Sequence, residues 1–165
     1  MNTSLTITET RDENVIWRII TDRSVFGQII DDDFLGKPLG ELQSMFLAYL
    51  ARAANHTMLV EIDGHPVGCF LGIARGYGNL EIHTCLTQEC RGGDAIAAGK
   101  QAMRLLFAMP EIVKLTSFCP MCIRQAYLFA RRCGWKDAGL ASWKWVRNSV
   151  EYNVQLVECK KEDFK

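Results

Sequence analysis

Asn79 to Phe107 reads NLEIHTCLTQECRGGDAIAAGKQAMRLLF, and the reading of this stretch decides the fold. Residues 79 to 86 are rich in β-formers, with Leu80, Ile82, Thr84 and Leu86 on one face and Glu81, His83 and Cys85 on the other. Gln88-Glu89-Cys90-Arg91-Gly92-Gly93 breaks the alternation, and its glycines let backbone amides approach a ligand closely. From Asp94 onward the period becomes helical: Ala95, Gly99, Ala102, Met103 and Leu106 form one stripe, with Lys100, Gln101 and Arg104 opposite. A strand, a short glycine turn and a helix are expected. The unpaired N–H groups at the start of that helix would make the Gly92-Gly93 turn a place for phosphate oxygens. An ordinary strand-to-helix connection has the same local signature. A carboxylate at Asp94 also suits the start of a helix as a cap.

The order of motifs around the stretch resembles the Gcn5-related N-acetyltransferase (GNAT) family. That family has a bulged strand, a Gln/Arg-x-x-Gly-x-Gly/Ala loop and a helix that holds the pyrophosphate of acetyl-CoA. Here Glu81-Ile82-His83, Leu86, Glu89, Arg91-Gly92 and the small residues Ala98 and Gly99 carry the likeness. Downstream, Ala126, Phe129 and Gly134-Trp135 are similar to the family's Asn-x-x-Ala-x-x-Leu-Tyr-x-x-x-Gly-Phe helix. The resemblance covers roughly residues 57 to 158 of a single domain spanning 1 to 165. With Arg91 on the Gln/Arg position, Asp94 and Ile96 stand where the family prefers small residues. Moving one residue back restores Gly93 and Ala95 but places Cys90 first. The family's frequent Tyr acid falls on Ala130 and its Asn on Ile123, while Tyr127, three residues before Ala130, lies about 60° around the helix from it.

The resemblance implies an α/β fold: a mixed, centrally splayed sheet of six or seven strands with helices on both faces. It implies acetyl-CoA as cosubstrate and an unidentified amine as acceptor. Glu81, at a position where the family recurrently has a Glu general base, is the first candidate for catalysis, with His83 beside it. Cys85, Leu86 and Thr87 would pair with the pantetheine arm, and Arg91, Gly92, Gly93, Asp94, Ala95 and Ile96 would surround the pyrophosphate. The texture of EIHTCL, RGG and an Ala-rich helix also resembles phage-borne members, including tailed-phage head-assembly proteins. A catalytically relaxed assembly or interaction factor is therefore the alternative. Asp94, Ile96 and Ala130 fit it, and Trp143 and Trp145 could serve either a partner surface or the core.

Composition narrows the classes. The chain has 165 residues, 48% hydrophobic and 23% charged, enough for one substantial core. Lys+Arg and Asp+Glu are both 19, which argues against nucleic acid, and Arg124, Arg131 and Arg132 make only a small basic patch. There is no signal-peptide run and no apolar stretch of membrane-spanning length, so no membrane partner and a cytoplasmic setting, bacterial or phage-infected, are expected. A protein partner or homodimer stays open. Seven cysteines, an odd number, point to reduced thiols. Cys119-Pro-Met-Cys122 has CxxC spacing, but His56, His65 and His83 supply no matching second pair, so neither a metal nor a disulfide is expected.

The remaining elements follow in order. Ser4 to Thr8 alternates as a strand, and Thr10 to Glu13 has capping-box spacing for a helix to about Asp22. Asp31-Asp32-Asp33 reads as a solvated loop, since it lacks the calcium-loop pattern. Leu42, Met45, Phe46, Tyr49, Leu50 and Ala53 mark a second amphipathic helix. In the family the two N-terminal helices form one wall of the acceptor site. Asp63-Gly64 predicts a hairpin between 58–62 and 66–73. Ile112 to Phe118 reads as a strand, Met121 to Cys133 as a helix with Pro120 at its first position, and 142–147 with 150–157 as a terminal hairpin.

Overall fold

A computed structural model describes residues 4–164. The elements run β1 (Leu5–Glu9), α1 (Glu13–Ile20), α2 (Arg23–Ile29), α3 (Asp32–Leu35), α4 (Leu39–Ala51), β2 (His56–Ile62), β3 (His65–Ala74) and β4 (Asn79–Leu86). They continue with α5 (Gly92–Ala108), β5 (Lys114–Pro120), α6 (Arg124–Arg132), β6 (Lys136–Leu140), β7 (Trp145–Arg147), β8 (Val150–Tyr152) and β9 (Val154–Lys160). The strand–turn–helix reading of 79–107 holds, and so does the hairpin at Asp63-Gly64, which joins β2 to β3.

Seven strands form one sheet in the order β1-β2-β3-β4-β5-β9-β6. Among the described residues only β4 and β5 pair in parallel, joined by α5 as the crossover. Their ladder is short: Asn79, Leu80 and Glu81 face Lys114, Leu115 and Thr116, and pairing stops there. One bond follows, from the Ser117 hydroxyl to the Ile82 carbonyl at 2.8 Å. Beyond it the two strands line opposite sides of a cleft. The sheet is splayed at its centre, as expected.

The alternation of β4 directs each face to its own core. Leu80, Ile82 and Leu86 pack with Ala98, Ala102 and Leu106 of α5. Cys85 packs on the opposite side with Ile16, Ile19, Val25 and Phe46 of the N-terminal helices. Burying aliphatic side chains of this size stabilises the fold by about 2 kcal/mol each. Gly99 sets the approach of α6 to α5. A Cβ there would come within 2.8 Å of Cys133 Sγ and of Phe129 Cζ, so a larger residue would push the helices apart.

Four local readings are corrected. The N-cap of α1 is Asp12, whose carboxylate accepts the Asn14 and Val15 N–H groups; Thr10 accepts the Asp12 N–H instead of capping the helix. The acidic triplet is not a bare loop. Asp31 caps the short α3, and Asp32 takes the N–H groups of Asn148 and Ser149. Pro120 ends β5 opposite Val154 rather than opening a helix, a strand-end position where its missing N–H costs little, and α6 begins at Arg124. The terminal hairpin is only the ribbon β7–β8. Residues 154–160 instead form an interior strand between β5 and β6, with Val154, Val157 and Cys159 buried.

Candidate active site

The splay opens into a cleft of about 1030 Å³. Its lining includes Trp17, Phe26 and Phe46 from the N-terminal helices, Glu81 to Leu86 of β4, and Ser117 to Pro120 of β5. The start of α5, with Arg91, Gly92, Ala95 and Ile96, lines it too, as do residues of α6 and the ribbon.

Glu81 and His83 project from the same face of β4, and the structure brings them into contact. Glu81 Oε1 lies 2.8 Å from His83 Nε2, and Glu81 Oε2 accepts Arg75 Nε–H at 2.7 Å. Glu81 is buried, whereas 42% of the His83 side chain is exposed. Burial alone would raise the Glu81 pKa. The hydrogen bonds and charges of His83 and Arg75 outweigh it and hold the carboxyl at about 2. Such a carboxylate is a poor proton acceptor. It is well suited to orienting the imidazole and to stabilising the positive charge that forms when the ring takes up a proton, as a buried carboxylate does for histidine in hydrolytic triads. Arg75 was not legible as a site residue, because only the β3–β4 turn carries it to Glu81.

The free edge of β4 supplies backbone groups. Leu80 and Ile82 carbonyls accept side-chain bonds from β5, so even-numbered peptide groups face the gap. By the same alternation Thr84 and Leu86 present N–H and C=O to the cleft. Odd-numbered residues face β3: the Thr87 N–H and hydroxyl both bond the Val67 carbonyl. Of Cys85, Leu86 and Thr87, Leu86 is the one whose peptide groups face the cleft by this alternation, as those of Thr84 do.

Arg91 occupies the N-cap position of α5, with no side-chain cap. The first-turn N–H groups of the helix are therefore unsatisfied by a side chain. Gly92 has φ +59°, a conformation costly for other residues, and no atom lies within 4 Å of a Cβ placed on Gly92 or Gly93. This open cradle, with Arg91 and Arg132 on the same cleft, fits a pyrophosphate. Asp94 sits exposed in the first turn and does not cap the helix. Ala95 is buried in the core and Ile96 is half-buried against it.

Among the described residues no tyrosine offers a free hydroxyl to the cleft. Ala130 is buried, and the Tyr127 hydroxyl donates to Asp137 at 3.1 Å. Tyr49 lines the cleft, but its hydroxyl is committed to the His56 carbonyl at 2.8 Å, and burial raises its pKa to about 12. Among the described residues no three His, Cys, Asp or Glu side chains gather to hold a metal, and no helix is long and apolar enough to cross a membrane.

No protein-family model matches the chain, and no curated protein matches it. Solved structures do. Spermidine N-acetyltransferase from Vibrio cholerae, in complex with CoA and spermine, aligns at TM-score 0.77 and 16% identity, over 98% of this chain and 97% of that one. A chimera of the Vibrio cholerae enzyme SpeG with hSSAT aligns at TM-score 0.78 and 14% identity, over 97% of each chain. The architecture is the GNAT fold.

Proposed function

We propose that the chain is an acetyl-CoA-dependent N-acetyltransferase acting on an amine, with His83 as proton acceptor and Glu81 as its orienting carboxylate. The observation that carries this is the Glu81–His83 pair on the splayed strand, in the same cleft as the uncapped start of α5. Solved structures of the same fold that are N-acetyltransferases, one of them bound to CoA, support it. The assembly-factor alternative finds no support in these comparisons.

Acetyl-CoA would supply the activated acyl group. Arg91, Arg132 and the α5 amides hold its phosphates, and the Thr84 and Leu86 peptide groups hold the pantetheine arm and polarise the thioester carbonyl. His83 takes a proton from the incoming ammonium, freeing the nitrogen lone pair. As the N–C bond forms and the C–S bond breaks, His83 returns that proton to the departing sulfur, and the second proton leaves the nitrogen for solvent as the neutral amide forms. The assignment shifts the base from Glu81, the first candidate by resemblance, to its neighbour.

Calorimetric titration with acetyl-CoA, followed by thiol release with a panel of primary amines, tests the proposal. His83→Gln is expected to lower kcat by about 100-fold or more while leaving acetyl-CoA affinity unchanged. A wild-type chain that ignores millimolar acetyl-CoA would overturn the reading.

A further inference from the structure

We propose that Trp145 and Arg147 form a carboxylate-binding subsite, and that the acceptor is an apolar amine that also carries a carboxylate, amino-acid-like rather than polycationic. The inference rests on the acetyltransferase reading of the cleft and adds the class of its acceptor.

Both residues line the cleft and stand two apart on β7, so they share one face of the ribbon. The Trp145 indole Nε1–H is buried and has no acceptor among the described residues. Buried donors are normally satisfied, so this one is suited to a ligand oxygen. Arg147 is half-buried and forms no ion pair among the described residues. Its guanidinium lies over α2: a Cβ on Gly27 would stand 3.9 Å from one of its terminal nitrogens. That contact puts Arg147 on the wall of the N-terminal helices, away from Arg91 at the start of α5.

The nearby carboxylates are already engaged. Asp32 Oδ1 accepts the Asn148 N–H at 3.0 Å and Asp32 Oδ2 the Ser149 N–H at 2.8 Å. Asp31 Oδ1 accepts the Phe34 N–H at 3.0 Å. A planar guanidinium beside an indole N–H suits a carboxylate, which can accept from both.

The rest of the wall argues against a polycation. Asp31 and Glu81 are the carboxylates lining the cleft, against Arg91, Arg132 and Arg147. Glu81 is held by Arg75 and His83. What surrounds the acceptor end is aromatic: Trp17, Phe26, Phe46 and Trp143. A body of apolar carbon fits there, with its amine toward His83 and its carboxylate toward the ribbon.

The test compares matched probes by calorimetry and by the KM of acetyl transfer: phenylalanine against phenethylamine, 6-aminohexanoate against hexylamine, and spermidine alone. At least one carboxylate probe is expected to bind about 10-fold or more tighter than its decarboxylated partner, from one charge-assisted bidentate contact. Arg147→Met should abolish that preference and leave phenethylamine affinity unchanged. Arg147→Lys, which keeps the charge but not the fork, should restore it only in part. Equal or weaker binding of both carboxylate probes, tighter binding of spermidine than of either, or a preference that survives Arg147→Met would overturn the subsite. Acetyl-CoA titration is read separately: if acetyl-CoA binds and spermidine is preferred, this inference fails while the acetyltransferase reading stands.

Discussion

Asp32 holds Ser149 across 117 positions of the chain, its Oδ2 accepting the Ser149 N–H at 2.8 Å while Oδ1 takes the Asn148 N–H at 3.0 Å. The turn it holds is an uncommon one. Asn148 and Ser149 both have positive φ, 51° and 61°, in the left-handed region that favours glycine. A carboxylate across both amides offsets part of that cost and docks the ribbon that carries Trp145 and Arg147 against α3.

Replacing Asp32 by Ala should therefore loosen the ribbon far more than the sheet. The loss should be about 1 kcal/mol, felt locally, because both bonds are solvent-exposed. Hydrogen exchange at Asn148 and Ser149 is expected to accelerate while amides of β3 and β4 keep their protection. Unchanged exchange at the turn would mean that the ribbon is held by packing alone.

Acid should weaken the fold through Glu81. Its folded-state pKa of about 2 lies below the ordinary value of 4.5, despite burial, because His83 and Arg75 favour the charged form. The stabilisation is thus complete above about pH 4.5 and is lost as pH falls toward 2. Its size is about 2 kcal/mol, allowing for screening around the half-exposed Arg75. Urea unfolding of wild type and Glu81→Gln should differ at pH 7 and converge near pH 2. Parallel stability curves across that range would show that the pair contributes nothing to folding.

The sequence carried the local geometry and little of what crosses the chain. Period-two alternation over 79–86 and the turn chemistry of Asp63-Gly64 located β4 and the β2–β3 hairpin, since both depend on near neighbours. β6 was missed because all five of its residues are exposed, so an edge strand there leaves no hydrophobic alternation. β9 was merged with β8 because nothing local shows that residues 154–160 insert beside β5. The candidate site divides the same way. Glu81, His83 and the Gly92 turn lie on one contiguous motif. Arg75 enters through a strand register, and Trp145 and Arg147 through the docking of a ribbon, neither of which is encoded at the site itself.

The thiols should report on the cleft. All seven cysteines are free. Burial pushes Cys119 up to about 12, and Cys90 and Cys133 up to about 11, so their reactive thiolate forms are scarce at neutral pH. Cys122 alone is only half-buried, and it lines the cleft. Titration with Ellman's reagent should find one fast thiol in the native protein and seven in denaturant. Acetyl-CoA should slow the fast one, and Cys122→Ser should remove it. Several fast native thiols would contradict the packing described for β3, β4 and α5.

Under the proposed function, the loop before α5 holds the phosphates of acetyl-CoA. Gly92→Val imposes a β-branched side chain on a backbone at φ +59°, where a Cβ costs about 1–2 kcal/mol, and fills the open cradle. The strain should lower fold stability, and the side chain standing in the cradle should lower acetyl-CoA affinity by about 10-fold or more by keeping phosphate oxygens from the α5 amides. Asp94 acts in the other direction. Its charge sits in the first turn of α5, where it steadies the helix dipole by about 0.5 kcal/mol but repels a bound pyrophosphate. Asp94→Asn removes the charge without adding glycine flexibility, so it should lower the melting temperature slightly and tighten acetyl-CoA several-fold. Asp94→Gly should tighten it at least as much, through easier backbone approach, at a larger cost in stability. Both gains should shrink as salt is raised, since the repulsion is solvent-exposed. If neither variant changes affinity while Gly92→Val abolishes it, Asp94 turns away from the phosphates; if Gly92→Val has no effect either, the cosubstrate is not held at this turn.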